Sequence, residues 1–343
     1  EVEDPRASAS AAWRFNYRLA PGESTTVVIA APFHDQPVDV PGITDGDEIA
    51  AAVNRRIERV RTDWTARLNR ARLHLPASAR QIAETFRATQ AYILINADGP
   101  SIQPGSRTYE RSWMRDGALT STALLSTGHA DRVKEFLNWY APHQFPDGKV
   151  PCVVDQRGPD PVPEHDSHGE LIYALLTYYR YTGDRAFLET HWPRVVGAVN
   201  YIDGLRRQRM TEVYRNGTPE QRACYGLVPE SISHEGYSAK PMHSYWDSFF
   251  VLRGLADAVT IAEILGRESE GARFAELRDA YARALSDSVR RAMSNRQIDF
   301  VPGCVELGDF DATSTAIALF PCDVAEVLPQ AELARTFDRY YEF

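Results

Sequence analysis

The sequence predicts a mainly α fold, a toroid of helical hairpins that is preceded by a short β segment. Three features of the 343 residues predict it: β-type alternation is confined to the first 45 residues, helical spacing dominates the rest, and short glycine-closed links alternate with long polar loops. Apolar residues make up 43% and charged residues 25%, a composition that supports a sizeable core and excludes disorder for most of the chain.

Residues 1–45 form the predicted β segment. Alternating side chains run through 13–19 and 25–30, and the turn formers Pro21 and Gly22 separate the two stretches. Two or three strands do not fold alone. We therefore expect the tail of a β-sandwich domain whose other strands lie outside this chain.

Residues 46–77 are expected to form a linker helix, because Ile49, Val53 and Ile57 recur at helical spacing. Residues 78–343 then form the main, catalytic domain. Apolar periodicity and cap residues in it predict eight helices and the start of a ninth. These are Ser78 to Asn96, Asp116 to Ser126, Ala130 to Tyr140, Ser167 to Thr182, Arg185 to Arg207, Ser244 to Leu265, Ser269 to Met293, Asp311 to Leu319, and Leu333 to Tyr341.

The links between the predicted helices differ in length. Gly128 and Gly183 close two helices at short links, whereas 97–114, 141–166 and 208–243 are long and rich in polar and aromatic residues. Ordering a long loop costs entropy that core packing does not return, so such loops are usually functional. We therefore expect an (α/α)6 barrel with its site at the long-loop end. Because a six-hairpin ring has twelve helices, the barrel is expected to be incomplete at the C-terminus.

The net charge and the cysteine pattern restrict the classes of ligand and cofactor that the protein is expected to bind. The net charge of −9 argues against nucleic acid, and no stretch approaches the roughly 20 apolar residues of a membrane-spanning helix. The four cysteines form no C-x-x-C pair and have no zinc-site spacing, which indicates buried apolar roles, so no metal and no cofactor are predicted. A neutral substrate fits best. The sequence leaves open the oligomeric state and the compartment, exported or cytoplasmic.

A first chemical motif lies at the junction between a long loop and a helix. Trp113, Arg115 and Asp116 place an aromatic ring beside a cation and an acid. Sugars need this mixture, because an aromatic face covers the ring while charged groups take hydroxyls in paired hydrogen bonds. In the alternative interpretation Asp116 only caps the helix and Arg115 pairs with a nearby acid.

This Trp-x-Arg-Asp element resembles the six-hairpin glycosidase superfamily, especially its glucoamylase family. The resemblance implies a carbohydrate substrate whose hydroxyls Arg115 and Asp116 hold in the cleaved subsite. The segment 164–184, which ends in Tyr-x-x-Thr-Gly-Asp, resembles the acidic opening of an inner helix in the same superfamily, with Asp166 and Glu170 as substrate-binding candidates. Alternatively, these acids only cap an ordinary core helix.

The third element covers residues 225–250. Glucoamylase-like enzymes carry their general acid in the corresponding loop, which makes Glu230 the first candidate and Glu235 the second. We expect Glu230 to be partly protonated near neutral pH. Trp246 and Asp247 resemble the Trp-Asp motif of trehalase-like and processing-glucosidase-like members, where the Asp contacts substrate. If Asp247 is only an N-terminal helix acid, it should point to solvent.

The predicted function is glycoside hydrolysis of an oligo- or polysaccharide, and the glucoamylase-like resemblance implies inversion by two carboxylates. The superfamily's general base comes from a late hairpin, so we expect it beyond Phe343 rather than at Asp309 or Asp311. We also expect Trp113, Arg115, Asp116 and Asp247 to converge on one pocket.

Three alternatives remain. A phosphorylase would need a basic anion pocket, for which Lys240 is weak support. A sugar epimerase on the same toroid would use histidines. A non-catalytic carbohydrate-binding module would lack the acid pair. The histidines in the candidate loops are His165, His168, His234 and His243.

Overall fold

The computed structural model describes residues 12–29 and 46–342, in two units, Glu1–Asn69 and Arg70–Phe343. In the first unit, a turn at Pro21 and Gly22 lies between extended stretches, and the Glu23 N–H donates to the Ala20 carbonyl over 3.0 Å. Residues 12–29 contain no strand, and their large apolar side chains are exposed. An isolated strand is not stable, because it has no neighbouring strand with which to share backbone hydrogen bonds. The β-sandwich remnant predicted for 1–45 therefore stays a prediction, and much of it lies outside the described residues.

The first unit also contains helix α1, Gly46–Leu68. It includes the predicted apolar stripe, but Ile57 and Val60 on that stripe are about half exposed. The helix ends nine residues before the predicted end of the linker at 77. The predicted domain boundaries otherwise stay predictions.

The second unit is almost entirely helical, and its helix bounds differ from the predicted ones by a few residues at most. The helices are α2 Arg80–Ile95, α3 Met114–Ser126, α4 Ala130–Tyr140, α5 Asp166–Thr182, α6 Arg185–Arg207, α7 Glu212–Asn216, α8 Pro219–Ala223, α9 Tyr245–Leu265, α10 Glu268–Arg296, α11 Ala312–Leu319 and α12 Gln330–Glu342. The two short helices α7 and α8 were not predicted. Their 208–243 loop does carry one signal, a capping box formed by Thr218 and Gln221 at the start of α8.

Eight of these helices form four consecutive hairpins. Helices α3, α5, α9 and α11 form an inner row in which each packs on the next, while α4, α6, α10 and α12 pack outside their hairpin partners. The predicted mainly α fold of helical hairpins is confirmed. Among the described residues, no helix is both long and apolar enough to cross a membrane. All four cysteines are buried and free, as predicted.

The inner helices α5 and α9 touch backbone to backbone. A Cβ on Gly169 would lie 1.9 Å from the Phe250 carbonyl oxygen, and a Cβ on Gly254 would lie 2.4 Å from the Gly169 Cα. No side chain fits at either position. The two helices can therefore run close together only because both positions are glycine.

The loops divide between the two ends of the first three hairpins as predicted. The links 127–129, 183–184 and 266–267 are short, and Gly183 closes α5 with a left-handed φ of 68°. The link 320–329 between α11 and α12 is longer. Long loops precede each inner helix. The first two are joined by an antiparallel sheet of three short strands, β1 Ser112–Trp113, β2 Val153–Asp155 and β3 Gly158–Pro159.

Replacing Gly169 by Ala should destabilise the fold by about 3 kcal/mol or more, because the new methyl group collides with the backbone of α9. Urea denaturation measures the loss. Gly204→Ala is the matched control, since Gly204 lies in α6 with open space at its Cβ position. That change should stabilise by up to about 1 kcal/mol through helix propensity. Equal effects of the two substitutions would contradict the close approach.

Candidate active site

The first turns of α3 and α5 and the start of α9 meet in one polar cluster. Arg115 Nη1 donates to Glu164 Oε2 over 2.8 Å and lies 3.5 Å from Asp166 Oδ2. Trp246 Nε1 donates to the same Asp166 oxygen over 2.8 Å. Helices begin here because each long loop delivers an acid or an acceptor to the first turn, where the helix dipole favours negative charge.

Arg115 is the cation at the centre of this cluster, and its side chain is only 15% exposed. Burial alone would lower its pKa, but nearby carboxyl groups raise it well above its usual range. These are Asp166, Glu170, Glu164 and Asp116. Arg115 therefore stays charged, and one positive charge is shared among four acids.

Too many acids surround Arg115 for all of them to ionise. Burial, and then the charge of Asp166, raise the pKa of Glu164 to about 8 despite the opposing Arg115. Glu170 is fully buried, neither of its carboxyl oxygens has a hydrogen-bond partner among the described residues, and burial raises its pKa well above its usual range. Burial therefore favours the protonated forms of Glu164 and Glu170.

Asp116 is the accessible acid of the cluster, with a side chain that is 30% exposed. Burial raises its pKa, Arg115 opposes the rise, and the charges of Glu235 and Asp166 add to it. Glu235 is exposed and lies close enough to Asp116 for its charge to raise the Asp116 pKa.

Asp247 lies beneath this accessible pair and is fully buried. Its two oxygens accept hydrogen bonds from Ser231 Oγ at 2.5 Å and Ser233 Oγ at 2.7 Å. Burial, and then Asp166, raise its pKa to about 7. Asp247 therefore does not point to solvent, which excludes the helix-acid interpretation. Because both oxygens already bind the loop, it is poorly placed to contact a sugar directly.

The loop that Asp247 holds makes a strained turn. Ser233 and Glu235 have left-handed φ values of 53° and 65°, a conformation that costs a non-glycine residue roughly 1 to 2 kcal/mol. Between them, the His234 ring stacks on Trp246 with centroids 4.6 Å apart. The serine bonds and this stacking fix the turn that presents Glu235. Strain of this kind often marks a functional site.

Residues 105–319, well over half of the chain, match the family model of the bacterial α-L-rhamnosidase six-hairpin glycosidase domain. The chain belongs to this family. The matched region contains the starts of α3, α5 and α9 and the loops that carry the cluster. The predicted relation to the six-hairpin glycosidase superfamily is therefore confirmed.

Individual proteins resemble parts of this glycosidase domain. An uncharacterized glycosyl hydrolase of Methanocaldococcus jannaschii is 30% identical over 105 residues, which are 30% of this chain and 17% of that protein. The rhamnosidase of Klebsiella oxytoca with rhamnose bound is 18% identical, with a TM-score of 0.49 over 75% of this chain and 47% of that one. The GH63 mannosylglycerate hydrolase of Thermus thermophilus with Tris and D-glycerate is 13% identical, with a TM-score of 0.43 over 57% and 63%. The chain spans less than two thirds of each of these proteins.

Glu230, the first candidate for the general acid, lies in a different cluster of this glycosidase domain. Arg209 donates a hydrogen bond to it, and His243 Nε2 lies 3.5 Å from the same oxygen. Burial alone would raise the pKa of Glu230, but backbone hydrogen bonding and Arg209 lower it. The expected partial protonation of Glu230 is therefore wrong. The sequence could not show that Arg209, 21 residues earlier, would be its partner.

Trp113 is almost entirely buried. It packs with Cys152, Val153 and Val162, and only 6% of the residue is exposed. Strand β1, which contains Trp113, pairs with β2, which contains Val153. Trp113 therefore has little free face for a sugar, and its convergence with the charged residues stays a prediction.

The candidate histidines differ in accessibility. His165 and His168 are buried, and burial lowers both pKa values, that of His165 to about 3. His243 Nδ1 lies 2.5 Å from Glu306 Oε1, and its Nε2 accepts from Arg209. His234 alone among the four is more than marginally exposed. An acid and base pair of histidines, which an epimerase would need, is not supported by this arrangement.

Among the residues that the structure describes, one set of side chains could hold a metal ion. Ligand atoms of Cys224, His243 and Glu306 lie within 4.8 Å of one another. Their wide spacing in the sequence gave no sign of this proximity. The hydrogen bonds of His243 already satisfy both ring nitrogens, so the group is stable as a hydrogen-bonded cluster.

The buried acids should make the protein less stable as pH rises from about 4 to about 8. The unfolded chain loses the Asp247 and Glu164 protons at ordinary acid pKa values, while the folded chain keeps them to about pH 7 and 8. Their stabilising contribution is therefore complete below about pH 4 and lost by about pH 8. Urea denaturation across this range should show a smaller decline for Asp247→Asn. An identical decline in wild type and variant would contradict the raised pKa of Asp247.

Proposed function

We propose that this chain hydrolyses glycosidic bonds in an oligo- or polysaccharide. One observation carries the proposal: Arg115 and Asp116 lie together at the start of an inner helix, with Glu235 within electrostatic reach of Asp116, in a chain of a glycosidase-domain family. The family name makes α-L-rhamnosides the first substrates to test. The carbohydrate is the expected partner.

The partly exposed Asp116 and Arg115 would hold sugar hydroxyls. A guanidinium donates while a carboxylate accepts, so the pair can hold two neighbouring hydroxyls. Arg115 is immobilised by Glu164 and Asp166, which keeps its planar donor group in one orientation. Three buried residues would then position Arg115 and the helix starts without touching the sugar. They are Asp166, Glu170 and Trp246.

Glu235 is our proposed proton donor to the glycosidic oxygen. Its exposure and its proximity to Asp116 support this role, and the strained turn held by Asp247 fixes its position. Glu230 is less suitable because its Arg209 partner favours the charged form.

The glucoamylase-like resemblance supports an inverting reaction. A second carboxylate, about 6.5 to 9.5 Å from the donor, would then activate water on the opposite face of the sugar. Asp309 accepts from Tyr237 Oη at 3.0 Å, and Asp311 caps α11 by accepting from the Ser314 N–H at 2.9 Å. These engagements agree with the expectation that neither is the base. Proton NMR of the first-formed sugar anomer tests inversion, and a retained anomer contradicts it.

Glu235→Gln should lower kcat about 10²- to 10⁴-fold on a substrate with a poor leaving group. An aryl glycoside with an acidic phenol needs little protonation, so the same variant should keep much more of its activity there. Steady-state kinetics on the two substrates measures the difference.

Glu230→Gln is the matched control for this experiment, because it removes the same charge from the same loop. It should change both activities by a similar and smaller factor. A leaving-group-dependent loss in Glu230→Gln, with none in Glu235→Gln, would return the donor role to Glu230.

Asp116→Ala should reduce kcat/KM at least about 100-fold, because the substrate loses a charged hydrogen-bond acceptor at the cleaved sugar. The far-ultraviolet circular dichroism and the urea midpoint should stay close to wild type, since the side chain is partly exposed. Comparable activity in the variant would remove Asp116 from the substrate site.

A further inference from the structure

A second pocket opens between the first two long loops. Its volume is about 280 Å³, and its lining combines one tryptophan with amide and acidic side chains. The residues that matter here are Gln103, Glu110, Trp139, His143, Asp155 and Gln156. We infer that this pocket binds a neutral sugar residue of the same glycan, remote from the bond that is cleaved. The inference rests on the proposed function.

The aromatic side chain of the pocket is held rigidly. Trp139 lies at the end of α4 and is only partly buried. Its ring meets His143 edge-on with centroids 5.3 Å apart, and it meets Tyr140 edge-on at 5.8 Å. A fixed, partly exposed indole gives a sugar an apolar surface at little cost in side-chain entropy.

The polar lining suits hydroxyl groups rather than ions. Gln103 and Gln156 each offer an amide that both donates and accepts, and Glu110 adds an acceptor. Asp155 is already bound by Arg111 Nε at 2.8 Å and by Arg157 Nη2 at 2.6 Å. The acidic groups disfavour an anionic ligand, and the arginine pairing of Asp155 weakens attraction for a cation. A neutral polyol fits what remains.

The position of the pocket connects it to the candidate active site. Strand β2 supplies Val154 and Asp155 to the pocket wall. Its partner β1 runs directly into α3, whose first turn carries Arg115 and Asp116. The same small sheet therefore borders the pocket and leads into the cluster, so one oligosaccharide lying over the long-loop end could occupy both.

A larger cavity of the domain lacks this chemistry. It has a volume of about 450 Å³ beside α9 and α10, and its lining contains no aromatic side chain among the described residues. Its Arg253 is paired with Asp257 at 2.7 Å. Judged by volume alone, this cavity would be the better candidate for a sugar site. The indole and amide side chains of the smaller pocket make that pocket the better candidate.

The test uses the whole chain and two substrates, p-nitrophenyl α-L-rhamnoside and an α-L-rhamnosyl-terminated tetrasaccharide. Trp139→Ala should raise KM for the tetrasaccharide roughly ten-fold, the loss expected for one aromatic contact, and leave kcat and the aryl substrate unchanged. Gln103→Ala should act in the same direction. Equal effects on both substrates, or none on the tetrasaccharide, would overturn the inference.

Tyr181→Ala is the control, because it removes an exposed aromatic ring from the other end of α5. It should change neither KM. Saturation-transfer NMR of the tetrasaccharide gives a readout that does not need hydrolysis: transfer should be weaker with Trp139→Ala than with Tyr181→Ala. If neither the wild type nor the variants hydrolyse either substrate, the proposed function is wrong. If saturation transfer with Trp139→Ala equals that with Tyr181→Ala, the second sugar site is wrong.

Discussion

One guanidinium, that of the largely buried Arg115, holds the site together. Arg115 begins α3, binds the loop before α5 through Glu164, and lies beside Asp166 at the start of α5, which in turn accepts from Trp246 of α9. Three inner helices are thus joined at their first turns by one cation. Without that cation the buried acids would lack their counter-charge, and an uncompensated buried charge costs several kcal/mol. The cluster therefore tolerates its acids because Arg115 is charged and because burial favours the protonated forms of Glu164 and Glu170.

Helices α5 and α9, which are joined at their starts by the Asp166–Trp246 hydrogen bond, also lie unusually close further along. Gly169 and Gly254 leave their backbones in direct contact. Glycine inside a helix lowers helix propensity by roughly 1 kcal/mol relative to alanine. The packing of long apolar helices around the contact compensates for that loss, since α9 is buried along most of its length. Glycine therefore occurs inside these two helices, against its low helix propensity, where their backbones approach closely.

The sequence predicted the parts of this molecule that depend on local pattern. Helices α4 and α6 have the predicted bounds because apolar spacing, Gly128 and Gly183 act within a few residues. The site was predicted less well because its geometry depends on contacts between residues that are distant in sequence. The proximity of Arg209 to Glu230 and the burial of Trp113 by β2 arise only from folding. Arg115, Asp116 and Asp166 were proposed as site residues from the resemblance to six-hairpin glycosidases, and the structure brings them together at the starts of α3 and α5.

In the proposed site, the buried side chains position other residues, whereas the exposed Glu235 is free to meet a ligand. Asp247 is buried, and both its oxygens bind serines of the loop, so its position is determined by α9. Through those serines it holds a turn with two left-handed residues, a conformation that would relax if the bonds were absent. The turn ends in the exposed Glu235, whose charge reaches Asp116. If Glu235 is the proton donor that we propose, the Trp-Asp motif contributes to the site without touching the ligand, because Asp247 fixes the loop that carries Glu235.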